Sequence, residues 1–160
     1  MTRIAGLSLI GVILATIVFF FMGYLWFGAV FTDVWSIEIL RLRGIVEPGA
    51  SLSSDQLRAT FIEAFPDLNP ALGLGLGFVN ALLTTTVLAI VLRIMKADGL
   101  LSHIGYGLLA WLGFAVTSFA YDPIYGLESM TLFWLDVTHG AAAYSAAAAV
   151  LSFFSRASEA

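Results

Sequence analysis

"FWLDVTHGAAAYSAAAAV", residues 133–150, sets one aspartate and one histidine in a run otherwise suited to hydrocarbon. The apolar character extends on both sides, to residues 130–154. A bilayer-crossing helix needs about 20 such residues, so this segment is read as a span. Centred near Ala142 and rising about 1.5 Å per residue, the helix holds His139 about 4–5 Å from mid-membrane and Asp136 about 9 Å. Three residues apart, the two share a helix face. An unpaired aspartate at that depth costs about 1–3 kcal/mol, so partners are expected nearby.

The rest of the 160-residue chain has the same character: 60% of residues are hydrophobic, 11% are charged, and the mean hydropathy is +0.96. Soluble domains carry about 25% charged residues, so a membrane protein is the natural reading. Four segments reach spanning length, at residues 4–30, 71–95, 100–121 and 130–154. The first apolar run, Ile4–Phe31, exceeds the roughly 7–15 residues of a signal-peptide core and is expected to be a retained span. The net charge of −4 gives no electrostatic case for nucleic acid. Cysteine is absent, which removes disulfides, thiolate metal sites and cysteine nucleophiles.

A connection over residues 31–70 separates the first two spans and holds six of the eleven acids. In "VWSIEILRLRG", Trp35, Ile39 and Leu42 repeat at the spacing of one helical face, as in a helix lying on the membrane surface. In "SLSSDQLRATFIEAF", Ser53 and Gln56 have capping-box spacing, and Leu57, Phe61 and Phe65 line one face. The later connections are short. "RIMKADGLLSH" turns at Asp98–Gly99, and the third span is expected to stop at Asp122–Pro123, since proline disfavours helix at the residue before it. Spans two to four should therefore form a compact antiparallel unit.

With four spans, both termini share a side with the turn near residues 96–100. Arg3, Arg93, Lys96 and Arg156 lie on that side, against Arg41, Arg43 and Arg58 on the other. This excess points to cytoplasmic termini.

Helices in lipid associate by close contact, which small residues permit. Gly73 and Gly77 form a GxxxG on the second span, and Gly140, Ala143 and Ala147 share a face of the fourth, which is expected to be central. Trp26 and Trp35 suit the membrane–water boundary. Counting residues brings Asn80, Thr117, Ser118 and Tyr24 into the same leaflet as Asp136 and His139. These six are the candidate ligand or ion site. The alternative is a structural polar knot, with Asp136 favoured by its place near the helix start. If the cluster exists, Asp136→Leu should harm stability or activity.

Several chemistries are disfavoured. His103, the second histidine, lies about 15–20 Å in depth from His139, so the two cannot share a haem or zinc in one chain. His139 with "GAAA" after it offers only a weak case for haem or chlorophyll, and no cofactor and no metal are expected. "LGLGLGF" lies inside a span and is not a dinucleotide loop. Asp136 and His139 lack a nucleophile, because Ser145 lies on roughly the opposite side of the helix. No enzyme is expected.

"GYLWFGAVFTDVW", with Gly23, Tyr24, Leu25, Trp26, Phe27, Gly28, Phe31 and Trp35, resembles the opening signature of an uncharacterised bacterial membrane family, domain of unknown function 1761. "GLLAWLGFAVTSFAYDPIYGLESMTLFWLD", Gly107–Asp136, resembles that family's third span, loop and start of the fourth. The resemblance implies four spans in a bacterial cytoplasmic membrane and brings no catalytic residue with it.

The combined reading is an all-α integral membrane four-helix bundle, a single domain over residues 1–160, surrounded by lipid. Its expected role is non-catalytic, as an oligomeric or accessory subunit contacting itself or another membrane protein. The alternative is a small transporter, channel or ligand binder using Asp136 and His139.

Overall fold

The computed structural model of the chain describes residues 3–4, 7–126 and 129–155. Among the described residues, four helices are long and apolar enough to cross a membrane: Leu9–Val30, Pro70–Ile94, Gly99–Ile124 and Met130–Ser155. The protein is a multi-pass membrane protein with an all-α bundle fold. Of the cations counted for orientation, Arg156 and the side chain of Arg3 lie outside the described residues.

The first span begins later than residue 4. Two-residue strands, β1 (Arg3–Ile4) and β2 (Leu7–Ser8), pair antiparallel ahead of it. Ser8 then caps α1 (Leu9–Leu25), accepting from the Gly11 amide at 3.2 Å. The side-chain cap supplies one of the orphan N–H groups at a helix start with an acceptor, which is why the helix begins there. A π-helical segment, Trp26–Val30, continues the span, with the Phe31 amide donating to the Trp26 carbonyl at 2.8 Å.

The connection folds into a small cap from α2 (Thr32–Leu42) and α3 (Ser54–Ala64). The capping box closes at Ser53, whose amide donates to Gln56 Oε1 at 2.9 Å. Leu40, Val46 and Leu57 form the buried core of the cap, with Phe61 and Phe65 packed on it. The buried face of α2 is therefore Ser36 and Leu40, one residue out of phase with the expected Trp35–Ile39–Leu42 stripe. Trp35 instead packs on Phe61 and on Phe27, 5.5 and 6.5 Å between ring centroids, and ties the cap to the first span.

The second span is α4 (Pro70–Ile94). The third is α5 (Gly99–Ala110), a second π-helical segment at Trp111–Val116, then α6 (Thr117–Phe119) and α7 (Tyr121–Ile124). It runs past Asp122–Pro123 because the helix breaks at Ala120 and restarts. Pro123 thus falls in the first turn of α7, where a missing N–H is tolerated. The fourth span is α8 (Met130–Ser155).

α8 is the central helix, packed along α1 on one side and α5 on the other, while α4 sits mainly against α1. Spans two to four are thus not a self-contained unit. The shared core lies at the end where α1 begins and α8 finishes. It contains Val12, Ala15, Leu88, Ala89, Leu92, Ala147, Ala148 and Leu151.

Within that half the polar link between helices is Thr16 on α1 and Thr85 on α4, both fully buried, with 2.7 Å between hydroxyl oxygens. Each hydroxyl also lies 2.8 Å from a carbonyl of its own helix, Val12 and Ala81 respectively. Two protons serve these three contacts, so one hydroxyl bridges while the other donates to its own backbone. A double-mutant cycle of Thr16→Val and Thr85→Val, read by unfolding in mixed micelles, should show a coupling of about 0.6–1.7 kcal/mol. No coupling would mean that both hydroxyls donate only to their own helices.

Candidate functional site

His139 and Gly140 are held between two tryptophans, each of which opens a π-helical segment. From α1, Trp26, Phe27 and Phe19 surround the imidazole, with ring centroids 6.4, 5.0 and 6.4 Å away. Gly23 faces the ring, where a Cβ would stand in ordinary contact, 3.4 Å from Nε2. From the third span, the Nε1–Cδ1 edge of Trp111 packs against Gly140. A Cβ on Gly140 would stand 2.5 Å from the indole Nε1 and 2.8 Å from Cδ1. Only glycine allows that approach without displacing the ring.

Both segments read Trp-x-Gly near their start, "WFGAV" at 26–30 and "WLGFAV" at 111–116. A π-helical turn is wider than an α-turn, is rare, and is often found at functional positions. Here both wide turns face the same two residues of α8. Trp26 Nε1, Trp111 Nε1 and His139 Nε2 are all enclosed by protein and lack a hydrogen-bond partner among the described residues. Buried polar groups are normally paired, so three such nitrogens around one helical turn are an unusual concentration.

The structure brings together only part of the proposed cluster. Asp136 is half-buried on α8, one turn from His139, and no hydrogen bond joins the two. Thr117 and Ser118 are exposed, and each hydroxyl donates to a carbonyl of its own span, Gly113 and Phe114, at 2.7 Å. Tyr24 is exposed and stacked on Phe21. Asn80 is exposed on α4. Counting residues gives these side chains a common leaflet, but their exposure shows that rotation about the helix axes turns them away from the bundle. Since Asp136 has no hydrogen-bond or ion-pair partner among the described residues, Asp136→Asn should leave thermal stability in detergent unchanged or raised. A fall of more than about 1 kcal/mol would mean that the carboxylate makes a contact the fold depends on.

Gly140, Ala143 and Ala147 are buried on α8, whereas Gly73 meets nothing and Gly77 faces only the edge of Phe20. Two close-packing glycines escape the sequence reading: Gly11 against Phe154 and Gly107 against Ala148. Trp26 is turned inward on His139, so its N–H does not serve as an interfacial anchor. His103 is buried, and its Nδ1–H donates to the Gly99 carbonyl at 2.8 Å. Among the described residues, no three His, Asp or Glu side chains are grouped to hold a metal ion.

The family model described as "Protein of unknown function (DUF1761)" matches residues 10–152. The chain belongs to the DUF1761 family. The match runs from the second residue of α1 to near the end of α8, so it takes in the cap, both π-helical segments and the His139–Gly140 turn of this DUF1761 protein. No curated protein and no solved structure matches it.

Proposed function

We propose that this is a non-catalytic protein of a bacterial cytoplasmic membrane that works as a subunit, in contact with other protein within the bilayer and without a resident cofactor. The observation behind this reading is the half of α4 nearest the cap. Every residue over 71–76 is exposed, and Gly73 and Gly75 have no atom near the position of a Cβ. The first and third spans pack along α8, while this stretch of α4 extends with lipid or partner on all sides. Purification in a gentle detergent followed by native mass spectrometry tests the reading. The expected result is a defined stoichiometry with protein, either itself or another subunit, crosslinking through α4. Recovery as a monomer carrying lipid alone overturns it.

The enclosed nitrogens of Trp26 and His139 favour a second reading, in which the protein binds or transports a small polar molecule. The same spectra would then show a small molecule retained by the wild type and lost from His139→Phe. Nothing retained by the wild type removes this reading.

A further inference from the structure

We infer that α4 pairs with α4 of a second copy of this chain about a two-fold axis along the membrane normal, joined by Asn80 to Asn80. This rests on the reading of the protein as a subunit and names its partner.

Asn80 is two residues from the middle of the α4 span, so it lies about 3 Å from mid-membrane. It is exposed, and its amide has no hydrogen bond to any described residue. Three exposed hydroxyls of the spans have a local outlet. Thr117, Ser118 and Thr138 each donate to a carbonyl one turn back, at 2.7 Å. A hydroxyl is satisfied that way. A primary amide carries two donors and an acceptor oxygen, and its own helix offers no free N–H. Left in hydrocarbon, such a group is costly, and water is too far away to serve it.

A second copy supplies what is missing. The amide is self-complementary, donating and accepting at once, which suits an isologous interface. All copies insert with the same orientation, so a two-fold axis along the normal keeps every residue at its own depth. Asn80 then meets Asn80 and no other polar group. Gly73 lies two turns along the same face, about 20° off in rotation, with open space at its Cβ position. That gap lets two backbones approach closely on the cap side of the amide pair. The flanking Leu72, Leu76, Val79 and Leu83 are exposed and available as apolar contacts.

The chain has no cysteine, so single-cysteine crosslinking needs no background removal. Gly73→Cys in native membranes, treated with a short bifunctional thiol reagent, should give a covalent homodimer. Adding Asn80→Leu should weaken dimerisation by about 3- to 30-fold, the range that one intramembrane hydrogen bond spans. Asn80→Gln should keep most of it. Because position 80 faces away from the bundle, the melting temperature of each variant should equal that of the parent.

If Gly73→Cys yields no homodimer but a different protein is crosslinked in defined ratio, the homodimer is wrong and the subunit reading survives. A monomer with neither partner overturns both. A homodimer indifferent to Asn80→Leu overturns the role given to the amide.

Discussion

Gly140→Leu is expected to destabilise the bundle by about 1–3 kcal/mol, the usual cost of forcing extra volume into a packed core. A Cβ at 140 would stand 2.5 Å from Trp111 Nε1, so the indole must leave its seat on α8. Either the third span shifts bodily or Trp111 swings toward lipid. Each outcome changes the emission of Trp111, which gives a readout separate from stability. The matched control is Gly105→Ala on α5, where an added Cβ meets nothing. That variant should be neutral or slightly stabilising, since alanine is the better helix former. Equal losses at both positions would show that helix propensity, and not the Trp111 contact, governs α8 packing.

Leu40→Ala is expected to cost about 2–5 kcal/mol, the range for deleting most of a buried leucine side chain. Leu40 is fully buried between Val46 and Leu57, with Ile37, Leu52 and Phe61 around it. This core is separate from the one shared by the spans, and Trp35 is an aromatic link between the two regions. The loss should therefore be local. Hydrogen exchange should accelerate over α2 and α3, and protease should cut near Glu47–Ser51, while α1 and α8 keep their protection. The cap has other ties. Arg41 pairs with Glu38 at 2.8 Å and donates to the Ala50 carbonyl, and Arg43 lies over the Phe65 ring. These are half-exposed contacts worth about 1 kcal/mol or less each, so they should not hold the cap together without its leucine. If α1 and α8 lose protection along with the cap, the two cores fold as one unit.

The two experiments separate what the membrane holds from what the chain must build for itself. Inside the bilayer, contacts form between surfaces that lipid would cover equally well, so close approach at Gly11, Gly107 and Gly140 carries the packing. Outside it, the cap relies on ordinary burial of leucine and phenylalanine from water.

How much of this was readable in the residues follows from one distinction. Position along the membrane normal is counted in residues, and counting works. Apolar runs of spanning length located the four helices to within a few residues, because lipid cannot satisfy bare backbone groups and so demands continuous helix. Ser53 and Gln56 marked the start of α3 for an equally local reason, a side chain reaching its own helix end. Rotation about the helix axis was not readable in the same way. A water-exposed helix reports its buried face by the contrast between polar and apolar sides, but lipid makes both sides apolar and erases that contrast. Hence Asn80, Thr117 and Ser118 share the depth of His139 yet point away from it, and Gly11 and Gly107 gave no sign of their close contacts. The sequence alone determined where this chain crosses the membrane and how many times. Only the packing of one helix on another decided which side of each span looks inward, because that choice is made between surfaces of the same polarity.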